Sequence, residues 1–193
     1  MTLNSNHVSP YSEMTDDEHK QLAVDFYRGK LLFGFDRNVA RKFFMDTSVR
    51  SIEDQTGEAP RVESFVVWAL LVGGHIALIT SLLLSVIVFE WWSALVIPVS
   101  VLVYVVFMGL SSLPKHGMLG ISVIVVAFMG TFAMDVFPSR TVGLYFVFIS
   151  LALWLARCVY FAAFHFVRAF ALRNKKAFEI LASHINLRPT NEG

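Results

Sequence analysis

Hydrophobic and polar positions are sorted into blocks along this chain. Residues 1–62 are polar and mixed in charge, apolar runs dominate to about residue 168, and polar character returns to the end. A helix needs roughly 20 apolar residues to cross a hydrocarbon core about 30 Å thick. Lipid offers no partner to an open backbone group, so such runs are expected to be helical. Four runs qualify: 64–89, 93–110, 118–137 and 141–167. The first closes on Glu90, Trp91 and Trp92, whose two indoles suit the membrane–water interface. Pro98 lies about one turn inside the second, where a missing amide proton costs least. Ser111–Gly117 and Pro138–Arg140 read as turns.

The expected fold is therefore an all-α polytopic membrane protein. It has four transmembrane helices in an antiparallel bundle, flanked by N- and C-terminal cytoplasmic helices. Its segments are a cytoplasmic N-terminal region over 1–62, the bundle over 63–168 and a C-terminal helix and tail over 169–193. Lysine and arginine are retained on the cytoplasmic side. Arg41, Lys42, Arg50 and Arg61 precede the first run, Arg168, Arg173, Lys175 and Lys176 follow the fourth, and Lys115 marks the middle turn. The two opposite turns share only Arg140. Both termini are thus expected inside a plasma membrane, with nothing sizeable outside. No secretory signal pattern precedes the first run, so that run is expected to act as its own targeting signal.

The polar head has its own punctuation. Thr15 with Glu18 three residues on predicts a capping box and a helix carrying Leu22 and Phe26 on one face. Gly29 and Gly34 are expected to break it, and a second helix is expected from Asp36. Residues Phe33 to Phe44 interleave aromatic and basic side chains, which suits either a helix in the headgroup plane or one packed on the bundle. Arg37, Arg41, Lys42 and Phe43 are the residues expected to meet the membrane surface or a partner. Thr47–Pro60 reads as a linker. Beyond the fourth run, Phe170, Phe178, Leu181 and Ile185 share one side of a continuing helix. This apolar stripe needs a cover, for which the amino-terminal segment, a second copy and another protein all remain open. Phe170, Phe178 and Leu181 join the candidate partner contacts.

Composition adds exclusions. Of the 193 residues 55% are hydrophobic and 16% charged, with formal net charge +1, which argues against nucleic acid as a partner. One cysteine, Cys158, excludes an internal disulfide and reads as a small hydrophobe. Neither HxxxH nor HExxH nor an acidic pair occurs within a crossing, and no glycine-rich phosphate loop or nucleophile elbow is present. His75 and His165 differ in expected depth by about 15 Å, too far apart to serve as two axial haem ligands. The chain is expected to be no enzyme and to need no cofactor and no metal.

Polar groups inside the runs are the remaining candidates. Gly73, Ala77, Ser81 and Ser85 recur every four residues, a stripe that suits close helix packing within the bundle or an oligomer seam. Ala152, Ala156 and Ala163 offer a weaker counterpart. His75 is expected near the bilayer midplane, bonded across helices to Ser100 or Thr131, or titrating in a pore. Arg157 is expected in the inner third, snorkelling to headgroups or acting as a functional charge, with Trp154 or Phe161 offering ring faces. Asp135 is expected to pair with Arg140 at the outer end. These depths spread over about 18 Å along the membrane normal, which weakens any single path through one chain.

Together the features point to a non-catalytic multi-pass membrane subunit. It would oligomerise, bind a cytoplasmic protein, or both, as in transport, secretion, defence or toxin-immunity systems. The alternative is a homo-oligomeric channel or pore with His75 and Arg157 near its path.

Overall fold

The computed structural model of the chain describes residues 14–109 and 115–190, without the side chains of 109 and 115–119. The chain is mostly helical. In order it forms α1 (Asp16–Tyr27), β1 (Leu31–Phe35), α2 (Arg37–Met45), α3 (Val49–Thr56) and α4 (Arg61–Phe89). A 3-10 turn (Glu90–Trp92) leads to α5 (Ser93–Gly109), followed by α6 (Lys115–Ala133) and α7 (Arg140–Arg173). α8 (Lys175–Leu181), a second 3-10 turn (Ala182–His184) and β2 (Ile185–Pro189) complete it. Two compact units result: a terminal unit up to Val67 and again from Tyr160, and a central unit, Trp68–Val159.

Two helical stretches are long and apolar enough to cross a membrane, Arg61–Met108 and Arg140–Arg173, and Gly120–Ala133 is a shorter apolar helix. Contact registers inside the central unit give the helix directions. Across α4 and α5, His75 meets Tyr104 at 5.6 Å between ring centroids, so the chain reverses at the Glu90–Trp92 turn. Across α6 and α7, Trp154 Nε1 donates to Ser122 at 3.0 Å while Phe146 stacks on Phe128. Residue numbers there rise on one helix as they fall on the other, which is antiparallel packing. Across α5 and α7, Ser100 meets Tyr145 and Phe107 meets Arg157, so these two run parallel. The four central helices therefore alternate in direction.

α6 ends at Ala133, short of the expected Phe137. Asp135 takes a left-handed φ of 57°, and the amides of Asp135 and Val136 turn back to the carbonyls of Phe132 and Thr131. This pair of bonds satisfies the last carbonyls of the helix and stops it.

The terminal unit is built differently, around aromatic rings. Thr15 caps α1 with the full capping box, and Asp36 caps α2. The expected linker is largely a helix: Ser48 caps α3, Ile52 is buried, and Gly57 closes it at φ 77°. The helix continuing α7 stops at Asn174, whose side chain accepts from the amide of Ala177 and starts α8. β1 and β2 pair antiparallel, Leu31 with Pro189 through Phe35 with Ile185, a ribbon that the hydropathy pattern did not announce. Gly34 permits it, since a Cβ there would meet the Asn186 carbonyl oxygen at 3.2 Å.

Candidate functional site

In the terminal unit α2, α3 and α8 enclose a groove of about 360 Å³. Val39, Phe43, Ile52, Ile180 and Leu181 form its apolar floor, while Lys42, Asp46, Ser51, Gln55 and His184 stand among its polar residues. Local structure fixes these walls. Phe43 packs on Phe170 at 6.1 Å and Phe44 on Phe166 at 6.4 Å, so α2 lies against α7. Asn174 Nδ2 donates to the carbonyl of Thr56 at 3.1 Å, which holds the end of α3 at the start of α8. Apolar side chains set among polar and charged ones suit a segment that is itself amphipathic.

A second layer of contacts anchors α1. His19 Nε2 donates to the Ala171 carbonyl at 2.9 Å, one of the last carbonyls of α7 that no helical amide reaches. Lys175 Nζ reaches Asp16 at 2.8 Å. That hydrogen bond, and then the ammonium charge, holds the Asp16 carboxyl below its ordinary range; Asp16 correspondingly raises Lys175. The Thr15 amide, and then its hydroxyl, likewise lower Glu18.

The apolar stripe beyond the fourth run is covered by the amino-terminal segment. Phe170 and Phe178 are fully buried and Leu181 nearly so, with Phe178 meeting His19 at 5.5 Å and Phe33 at 6.3 Å. As folded, Phe170 and Phe178 are core residues and not a surface offered to a partner; Leu181 reaches only the groove. The four α2 candidates separate. Arg41 Nη1 donates to the buried Tyr160 hydroxyl at 2.8 Å, Phe43 packs on α7, Arg37 is half-buried, and Lys42 stays exposed at the groove.

In the central unit the small-residue stripe faces inward. Ala77, Ser81 and Ser85 are buried, and Ala77 clusters with Leu78, Tyr104, Ala152 and Ala156. Gly73 is half-buried, and a Cβ at its neighbour Gly74 would stand 3.5 Å from Leu155 Cβ. Small faces of α4 and α7 thus meet each other within one chain, and the stripe is occupied without a second copy.

His75 does not bond across helices. Its Nδ1 donates to the Leu71 carbonyl one turn back at 2.7 Å, while Ser100 pairs with Tyr145 and Thr131 bonds within α6. The ring itself is exposed. Arg157 does not snorkel: it is 5% exposed, with its guanidinium 5.4 Å over the Phe107 ring. Trp154 and Phe161 are engaged elsewhere, with Ser122 and His165. The expected depths also need correction. A Cβ on Gly74 would face both Leu155 and Ala156, so His75 and Arg157 lie within about one helical turn of the same level. Tyr104 joins them there, 4% exposed, its hydroxyl without a hydrogen-bond partner among the described residues. Asp135 stands apart in the α6–α7 turn, paired with Arg140 at 3.6 Å with both side chains exposed.

Sequence reading missed Tyr104 and the groove. Tyr104 lies four residues after Ser100, a polar repeat at helical spacing. Among the described residues no three His, Cys, Asp or Glu side chains gather as a metal site. Compared with protein-family models, curated proteins and solved structures, the chain gives no match.

Proposed function

We propose that this chain is a four-span membrane protein with both ends in the cytoplasm, acting as a non-catalytic subunit that receives a cytoplasmic protein partner. The groove formed by α2, α3 and α8 carries the reading, because a folded groove that mixes apolar side chains with polar and charged ones favours an amphipathic segment from another protein. The membrane reading draws support from the two long apolar stretches, the first of which doubles back at Glu90–Trp92 and so supplies two crossings. α6, 19 residues long, rises about 28 Å and supplies the third; α7 supplies the fourth. Val72, Ile76, Ile79, Leu83, Leu102 and Val126 are exposed on these helices, an arrangement that lipid favours and water penalises.

Two measurements test this. Alkaline extraction should leave the protein in the membrane pellet, and protease added outside intact cells should spare both ends. Recovery in the supernatant removes the membrane reading. Co-purification in mild detergent should retain a partner that Ile180→Asp and Val39→Asp release; recovery of nothing by the intact protein counts against the subunit reading.

A channel assembled from several copies is the second reading. It is favoured by the level shared by His75, Tyr104 and Arg157, with a buried hydroxyl lacking a partner among the described residues and an exposed imidazole beside it. Purified protein in liposomes should then pass ions, with a flux altered by His75→Ala at unchanged insertion. Absence of flux from a stable oligomer ends this reading.

A further inference from the structure

Within the terminal unit, the segment of α7 from Tyr160 to Arg168 carries a collar of arginines. Arg41 lies 5.0 Å over the Tyr160 ring, and Arg168 lies 5.1 Å over the Phe26 ring and 5.3 Å over the Phe164 ring. Arg37 is near enough for its charge to act on His165. Arg168 Nη2 stands 2.9 Å from His165 Nδ1. A guanidinium is always protonated and donates, so Nδ1 accepts and the ring carries its proton on Nε2. His165 therefore holds Arg168 from one side with its own N–H directed away, and the ion pairs among the described residues leave Arg41 and Arg168 out.

The collar also stands at a boundary. α7 is apolar from Thr141 to Phe164 apart from Arg157, and α4 is uncharged from Ser64 onward. Arg173 reaches Glu63, so the charged start of α4 and the charged end of α7 lie together. Phe161, 53% exposed, stands on the apolar side of this border with its ring 4.3 Å from His165. An exposed ring beside a cluster of fixed cations, next to long apolar helices, matches the acyl chain and phosphate of one lipid.

We infer that Arg168, held in place by His165, binds the phosphate of an anionic lipid of the cytoplasmic leaflet, with Arg41 and Arg37 adding to the attraction and Phe161 contacting its acyl chain. Arg168 offers the phosphate the donors of its planar guanidinium that His165 does not occupy, and the bond to His165 fixes their direction. The inference rests on the four-span reading and adds a partner to it. The association is non-covalent, and each basic residue near an anionic surface contributes on the order of 1 kcal/mol, a factor of about five in affinity.

The full chain is placed in phosphatidylcholine nanodiscs carrying a small fraction of spin-labelled phosphatidylglycerol or, separately, spin-labelled phosphatidylcholine, and the motionally restricted fraction is compared. The wild type should prefer the anionic lipid about fivefold or more. Arg168→Gln should lower that preference about fivefold, while Lys176→Gln, an equal loss of charge at an exposed site on α8, should leave it in place. Millimolar inorganic phosphate should not displace the lipid. Insertion without any preference overturns this inference alone, and that arm requires no variant to fold. A preference that Arg168→Gln leaves unchanged, that falls equally with Lys176→Gln, or that yields to free phosphate also overturns it. Failure to enter the disc overturns it together with the four-span reading.

Discussion

Phe178→Ala isolates the contact on which the terminal unit depends. Phe178 is fully buried on α8 and its ring meets His19 of α1 and Phe33 of β1 edge-on. Removing it deletes apolar burial and leaves a cavity between elements far apart in sequence. Such truncations cost about 3–5 kcal/mol. Each 1.4 kcal/mol is a factor of ten, so amide exchange limited by opening of the unit should speed up by about two to three and a half orders of magnitude. The assay is hydrogen exchange read by mass spectrometry on peptides covering α1, β1 and β2. Peptides from α5 and α6 should keep their wild-type rates, since Phe178 belongs to the terminal unit. Unchanged exchange in α1 and β1 would refute the packing described, and a uniform rise across the chain would refute confinement of the loss to the terminal unit.

Further outcomes follow from named contacts. Gly74→Leu should lower thermal stability in detergent, because a Cβ already meets Tyr104 Oη at 3.3 Å and Leu155 Cβ at 3.5 Å; overpacking of this kind costs about 1–3 kcal/mol. Gly130→Ala, with open space around it, should leave the melting temperature equal or slightly raised. Asn174→Ala removes the cap of α8 and the bonds to Thr56 and Glu58, and should cost about 1–2 kcal/mol, read as faster exchange in α3 and α8. For pH, the lowered carboxyl of Asp16 gives a contribution that is present above the ordinary aspartate range and lost as pH falls through the lowered value. The raised ammonium of Lys175 contributes below the ordinary lysine range and is lost as pH rises through its raised value. Lys175→Met should therefore return the Asp16 titration, followed by NMR, towards its ordinary range; an unmoved titration would contradict the pair.

What was legible in the sequence is what is decided locally. The capping box at Thr15, the helix start at Asp36 and the helical character of all four apolar runs depend on neighbours within a few residues or on run length. Thr47–Pro60 was misread because a polar composition hid Ile52 and Thr56, which are spaced at one helical turn and both buried. The β1–β2 ribbon was invisible for another reason. Leu31–Phe35 has an apolar run and Ile185–Pro189 alternates, but their pairing spans most of the chain and no local rule supplies it. The levels of His75 and Arg157 were misjudged because counting from assumed boundaries ignores where two helices touch, and Gly74 against Leu155 and Ala156 sets that register.

The two units solve packing with opposite materials, and the contrast bears on what surrounds them. The terminal unit closes over Phe33, Phe44, Phe170 and Phe178, large rings whose removal from water supplies the driving force. The central unit brings small residues together, Gly74, Ala77, Ser81, Ala152 and Ala156, beside buried Leu78 and Tyr104, and turns many of its large residues outward, Ile76, Leu83, Leu102 and Val105 among them. In water that arrangement leaves a large apolar surface without burial. Between helices in lipid burial brings no gain from leaving water, and close contact through small residues becomes the stabilising interaction. Replacing outward Leu83 and Leu102 by glutamine therefore separates the alternatives. A water-surrounded fold would gain solubility at little cost, since both side chains are mostly exposed. The proposed membrane protein would instead lose insertion, because two polar groups would face hydrocarbon. Normal membrane yield of the double variant, or its recovery as a soluble monomer, would count against lipid around these helices.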